Sequence, residues 1–214
     1  MKQNKGFTLV EIAIVLVIIG LLLGGILKGQ EMITQAKIKN VIADMSGVSA
    51  AMYGYQDRYR SLPGDDKNAN TRWSATAGDG DGVVEGAWAA STGEAINFWD
   101  HLRRAGFVSG SGVENPFNAV SGKMGVQTGD GAGGATGVLS DGETTPTRFN
   151  SLMLCSANLP DKIAGSVDAQ MDDGLGKKGS LRGFKATGNP ASVAAAAESY
   201  TEDGVSTYVI CRQM

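Results

Sequence analysis

The chain has an apolar block close to its N-terminus. The segment Phe7–Leu27 has one charged residue, Glu11, and no proline. About 20 apolar residues, each rising 1.5 Å, span the roughly 30 Å hydrocarbon layer of a bilayer as a helix. Lys2 and Lys5 precede the block, and this charge asymmetry favours a cytoplasmic N-terminus. The pattern therefore predicts a membrane-spanning helix.

Beyond Lys28 the pattern becomes amphipathic. Apolar residues recur at steps of three or four, as on one face of a helix, at Ile38, Val41, Ile42, Met45, Val48, Met52, Tyr55 and Tyr59. The first proline is Pro63, and with Gly64 it provides a stop. We therefore predict one helix from Phe7 to about Tyr59, half in lipid and half packed on a domain.

Glu11 is unusual in such a helix. A carboxylate inside a membrane costs about 2.5 to 3.5 kcal/mol on mild insertion scales and usually has a partner there. The segment Phe7–Leu27 contains no Lys, Arg or His. A positive partner must therefore come from another molecule or from a newly made N-terminal amine, and both sources indicate cleavage and self-assembly.

Glu11 lies in the motif Lys5-Gly6-Phe7-Thr8-Leu9-Val10-Glu11-Ile12, which is followed by unbroken aliphatic residues. This motif resembles the processing site of type IV pilins and type II secretion pseudopilins. The resemblance implies that a prepilin peptidase cuts after Gly6 and N-methylates the amine of Phe7. It also implies that Glu11 neutralises the Phe7 amine of a neighbouring subunit.

The same resemblance implies partners and a location. We expect a helical homo-oligomeric filament, served by the prepilin peptidase and N-methyltransferase, an inner-membrane platform protein and an assembly ATPase. Before assembly the chain would be a single-pass inner-membrane protein in contact with lipid; afterwards it would form an extracellular pilus or a periplasmic pseudopilus. No nucleic-acid partner is expected, because the formal net charge is −3 and phosphate binding needs a basic surface.

The resulting expectation is an α+β, pilin-like fold in four segments. Residues 1–6 form a cleaved leader, residues 7–28 the transmembrane and filament-core helix, and residues 29–61 its amphipathic continuation. Residues 62–214, here called the head, form a small antiparallel β-sheet with short helices and long glycine-rich loops outside the cytoplasm.

Within the head, the segment from Ser91 opens with a Ser-x-x-Glu pattern that predicts a capping box with Glu94. One face of the following helix would carry apolar residues, and Gly106 would cap its end; that face consists of Ala95, Phe98, Trp99, Leu102 and Ala105. His101 falls off this face, so we expect it on the surface.

The C-terminal part of the head predicts two strands and a helix. The segment 151–155 favours a strand, and the segment 158–160 would start a helix with proline in its first turn. Ile163, Val167 and Met171 would share one face of that helix, with residues 172–174 ending it. The segment 205–211 has the β-favouring residues of a terminal strand.

An acidic, glycine-rich loop is a candidate calcium site. Asp79, Asp81 and Glu85 alternate with glycine and valine, and Ca²⁺ binds carboxylate oxygens on such loops. The alternative is an acidic turn in which Asp-Gly pairs supply the backbone conformation. Asp172 and Asp173 present the same choice.

The two cysteines, Cys155 and Cys211, suggest one disulfide in an exported domain, and many pilins bridge their C-terminal region in this way. A free, reactive pair is the alternative.

With a single histidine and no G-x-S-x-G pattern, neither a zinc site nor a serine triad is indicated, so we expect no enzyme. Two other interpretations are a minor or tip subunit acting as an adhesin and a signal-anchored periplasmic domain with binding or enzymatic activity.

Overall fold

The computed structural model describes residues 7–133 and 136–214 of the chain. Within them it contains, in chain order, α1 Leu9–Tyr59, α2 Ala69–Trp73, α3 Glu94–Arg104, β1 Met124–Thr128, β2 Leu152–Pro160, α4 Asp161–Met171, β3 Leu181–Lys185 and β4 Thr207–Gln213. The described residues divide into two compact units, with the boundary between Lys37 and Ile38. The fold is α+β and pilin-like, as the sequence predicts.

The first unit holds the apolar part of α1. This helix includes an 18-residue window with a mean hydropathy of 2.8, and none of that window is buried. Its length and composition therefore suffice to cross a membrane.

The far end of α1 confirms the prediction of one long helix. The helix ends at Tyr59, and Arg60 has a left-handed backbone with φ of 55°. That conformation normally follows a helix at glycine or asparagine. Because the chain already leaves helical geometry at Arg60, Pro63 and Gly64 lie beyond the end of the helix and do not themselves set it.

The second unit is built on a four-stranded antiparallel sheet with the strand order β1-β2-β4-β3. Side chains alternate between its two faces. Leu154 and Ile210 point to the core that contains α1 and α3, whereas Met153, Cys155 and Cys211 belong to a second apolar cluster. The α1 side of the first core consists of Ile38, Val41, Met45, Val48, Ala51, Met52 and Tyr55.

Two predicted helix starts are wrong. No side chain caps α3, which begins at Glu94 after Gly93. The Glu94 carboxylate instead accepts hydrogen bonds from the backbone N–H groups of Asp79 at 3.1 Å and Glu85 at 3.1 Å, so the Ser91 box does not form. The residues expected to begin α4 instead end β2, because pairing with β4 extends that strand to Pro160.

The prediction of a surface histidine is also wrong, because His101 is fully buried. Its Nδ1 accepts a hydrogen bond from the Gly64 N–H at 2.9 Å, and its Nε2 lies 2.8 Å from the carbonyl oxygen of Thr76. These two contacts fix a neutral ring that donates from Nε2. His101 therefore joins α3 to the segment that follows α1.

The buried His101 makes the stability of the second unit depend on pH. Burial lowers its pKa below the ordinary 6.5, because a charged ring would lose its solvation. Above about pH 6.5 the ring is neutral in both states; as the pH falls through that value the unfolded chain binds the proton first, and the free energy of unfolding drops by at most about 1.4 kcal/mol per pH unit. We expect wild type to lose more melting temperature on acidification than His101→Gln.

Asp65 and Glu94 change the stability with pH in the opposite direction to His101, and they do so in both proteins. Burial raises the pKa of both carboxyls, so the folded state takes up their protons first and is stabilised as the pH falls through the raised pKa. Both groups remain in His101→Gln, and their effect cancels in the comparison. Equal pH slopes in the two proteins would contradict the role assigned to His101.

Candidate assembly site

The candidate assembly site lies at the start of α1. Gly6, the expected cleavage residue, lies outside the described residues. Phe7 follows with 84% of its surface exposed, and the helix begins at Leu9. Thr8 is therefore the residue that caps the helix.

Thr8 and Glu11 form a reciprocal capping box. The backbone N–H and the hydroxyl of Thr8 each donate to the Glu11 carboxylate at 2.8 Å, and the Glu11 N–H donates to the Thr8 hydroxyl oxygen at 3.3 Å. The spacing Thr-x-x-Glu is the signature of this motif, and it was visible in the sequence. Among the described residues no cation lies within 4 Å of Glu11.

The structure separates the hydrogen bonding of Glu11 from the pairing of its charge. Its carboxylate has hydrogen-bond partners in its own chain, but its charge has none within the part of the chain that the structure describes. The capping box also aims the carboxylate at the N-terminal end of the helix, where the helix dipole favours negative charge. A positive group at the Phe7 nitrogen would lie at the same end.

The apolar surface behind Glu11 is large and uncovered. Exposed side chains occur around the whole helix, and they include Val10, Ile12, Ile14, Val15, Leu16, Val17, Ile18, Ile19, Leu21, Leu22, Leu23, Ile26 and Leu27. An apolar area of this extent marks a surface that lipid or protein covers. The N-terminal part of α1 can therefore act as a membrane anchor or as the contact surface of an assembly.

The calcium candidates come together only in part. Asp79 and Asp81 lie with Asp65, and one oxygen from each carboxylate lies within 4.8 Å of the others. Glu85 is not in this group, since its carboxylate lies against Gly133. The sequence missed Asp65 because it precedes the loop by more than ten residues.

Asp65 organises the loop from a buried position. Its carboxylate accepts hydrogen bonds from the N–H groups of Gly80 at 2.6 Å and Gly82 at 2.9 Å. Burial raises its pKa, and the negative charges of Asp79 and Asp81 raise it further. A cation here would offset that repulsion.

A second acidic group consists of Asp168, Asp172 and Asp173. The Tyr200 hydroxyl donates to Asp168 at 2.7 Å, and the Ser180 N–H donates to Asp172 at 2.7 Å. Each contact ties the end of α4 to another segment. Asp168 and Asp172 therefore hold the end of α4 in place.

The two cysteines form a disulfide between β2 and β4. Cys155 and Cys211 are directly opposite in the strand register, both are buried, and their sequence separation is 56 residues. The bond therefore ties the C-terminal strand to a central strand.

Comparison with known proteins bears on the N-terminal segment. Residues 1–27 match the family model described as the prokaryotic N-terminal methylation motif. The matched range contains the capping box and most of the exposed apolar helix. Among curated proteins none matches the chain.

Proposed function

We propose that this chain, which carries the prokaryotic N-terminal methylation motif at residues 1–27, is a type IV pilin-like structural subunit of a pilus or pseudopilus filament. The observation that carries the proposal is the exposed apolar segment of α1 with a single carboxylate at its start. In a membrane this segment is an anchor, and in a filament it would be covered by the same segment of other subunits.

Maturation is the first step of the proposed function. A prepilin peptidase would remove residues 1–6 on the cytoplasmic side and methylate the new amine of Phe7. Cleavage creates a positive charge within three residues of the helix start at Leu9. The platform protein and the assembly ATPase would then move the subunit out of the bilayer.

Glu11 would guide the second step. Its carboxylate, positioned by Thr8, would pair with the Phe7 amine of a neighbouring subunit as the apolar helices bundle. In the dry interior of a helix bundle, either of these charges left without the other would be strongly unfavourable. Only one axial register of neighbouring subunits satisfies both charges.

The mass of the mature N-terminus tests the proposal. We expect the wild-type chain to begin at Phe7 with one added methyl group, whereas Gly6→Val should keep the leader and form no filaments. Gly29→Val, within α1, is the matched glycine-to-valine control, since nothing lies within 4 Å of a Cβ there, and it should be processed normally. An unprocessed wild-type chain that still begins at Met1 would contradict the proposal.

Two alternative functions are separable from this one. A minor or tip subunit acting as an adhesin would be processed in the same way but would be scarce in sheared filaments. A signal-anchored periplasmic domain would keep its leader and show a binding or enzymatic activity. The motif favours a structural protein over a catalytic one, and quantifying the chain in sheared filaments distinguishes a bulk subunit from a minor one.

Calcium at the loop of Asp65, Asp79 and Asp81 remains a proposal. Carboxylate oxygens suit Ca²⁺, and the charge repulsion at Asp65 would be relieved by a cation. We expect Ca²⁺ to raise the melting temperature of wild type but not of Asp79→Asn/Asp81→Asn, with Mg²⁺ as the ionic control. Equal melting temperatures of wild type in Ca²⁺ and in chelator would contradict a calcium site.

A further inference from the structure

A shallow apolar groove of about 320 Å³ lies on the outer part of α1, within the second unit. Its lining includes Ala43, Gly47 and Val48 of α1, and Phe107, Pro116 and Phe117 from the segment after α3. The side chain of Phe117 is large, yet 63% of it is exposed. Apolar surface of this kind is unfavourable in water and marks an interaction site. We call it the α1 groove.

No packing contact among the described residues requires a glycine at position 47. A Cβ at this position would meet nothing within 4 Å, whereas one at Gly54 would approach the Phe107 ring at 2.8 Å. Glycine weakens a helix interior relative to alanine, so Gly54 is explained by packing and Gly47 is not. The missing side chain at Gly47 keeps the floor of the α1 groove open.

Two polar groups at the α1 groove each lack one kind of partner among the described residues. Trp99 lines the groove and is fully buried, and its Nε1–H has no acceptor. Asp44 lines the same groove and is half-buried; the backbone N–H of Ala119 donates a hydrogen bond to its carboxylate, but no Lys or Arg nitrogen lies within 4 Å of it. Burial raises the pKa of Asp44, so a cation beside it would be favourable.

From these contacts we propose that a second copy of this chain docks in the α1 groove. The inference rests on the proposed filament, in which each subunit is surrounded by identical chains. The chain also carries the complementary charge: Lys39 is exposed on α1 and has no carboxylate within 4 Å among the residues described. The α1 groove therefore offers the Asp44 carboxylate, which has no cation beside it, and an open apolar floor. A second copy of the chain would supply Lys39 as the cation.

A photo-crosslinker in place of Phe117 identifies the occupant. The full chain carrying Phe117→p-benzoylphenylalanine is expressed with its assembly machinery, filaments are sheared and irradiated, and the crosslinked peptides are sequenced by mass spectrometry. We expect dimers in which the probe has reacted with a peptide of this same chain, several-fold more abundant than with the probe at Val205, which is 86% exposed and outside the groove.

Substitution of Gly47 gives an independent measurement. Gly47→Leu fills the floor of the α1 groove and should reduce the filament yield about tenfold or more, because overpacking a contact weakens it by that order. Ser46→Leu adds a similar side chain at the neighbouring exposed position outside the groove and should leave the yield unchanged. The membrane level of each subunit shows whether the variant folds.

The outcomes separate this inference from the proposed function. Filaments in which the Phe117 probe reacts with a different protein, or in which the position-205 probe gives as much dimer, overturn docking in the α1 groove and leave the filament intact. If the wild-type chain enters no filament, the filament proposal fails and takes the docking proposal with it.

Discussion

Replacing Glu11 by valine is expected to abolish filaments while the subunit still inserts in the membrane. The substitution removes a carboxylate from an apolar segment, so insertion becomes no harder. In the proposed filament it would leave the Phe7 amine of a neighbour buried without its counter-charge, at a cost of about 3 to 5 kcal/mol per contact. Filament yield by electron microscopy of sheared material, and subunit content of the membrane fraction, measure the two effects.

Glu11→Gln separates charge from helix capping. Glutamine can replace glutamate in a capping box, so the bonds with Thr8 would be kept while the negative charge is lost. We expect Glu11→Gln to fail as Glu11→Val does. The matched control is Glu31→Gln, an exposed glutamate paired with Lys28 at 2.7 Å, which should assemble normally. Abundant filaments from Glu11→Gln would show that capping, and not charge pairing, is the task of this residue.

Removing the disulfide should produce the largest loss of stability in the second unit. In the loop-entropy treatment, closing the 56-residue separation between Cys155 and Cys211 is worth about 4 kcal/mol at its upper end. We expect Cys155→Ala/Cys211→Ala to lower the free energy of unfolding by about 2 to 4 kcal/mol, measured by urea unfolding of the full chain in detergent.

Reduction and alkylation provide the control for that measurement. Both cysteines are buried, so folded wild type should not react with iodoacetamide, and wild type reduced and alkylated after unfolding should refold no more stably than the double alanine variant. A double variant as stable as wild type, or alkylation of the folded protein, would favour the alternative of a free, reactive pair.

The sequence was sufficient for the elements that local pattern decides. The apolar block and the three- and four-residue steps after Lys28 predicted α1 with its end at Tyr59. The buried face of α3 and the terminal strand also follow from periodicity, because a helix or strand packed on a core repeats its apolar positions.

Residues held by distant segments could not be predicted. His101 is off the apolar face of α3 by sequence, yet it is buried because Gly64 and Thr76, 37 and 25 residues away, supply its hydrogen-bond partners. Asp65 joins the acidic loop for the same reason, since Gly78 lets the loop approach the Asp65 backbone where a Cβ would collide. Such approaches depend on the path of loops, which periodicity does not encode.

The candidate assembly site and the α1 groove illustrate this difference between local pattern and tertiary packing. The motif and the unpaired charge of the assembly site are explicit in the sequence, and the Thr8–Glu11 box could have been predicted from spacing alone. The α1 groove could not, because Gly47 and Phe117, 70 residues apart in sequence, come to line the same groove only in the folded chain. The local sequence therefore predicts the first part of the proposed filament contact, whereas the groove depends on tertiary packing.

A reconstruction of sheared filaments by electron cryomicroscopy would show whether this chain forms the filament through its N-terminal helix. We expect filaments built from this chain, with residues 7–27 at the filament axis and the Glu11 carboxylate within hydrogen-bonding distance of the Phe7 nitrogen of an adjacent subunit. Filaments whose axis is formed by another protein, with this chain found only in the membrane, would contradict this expectation.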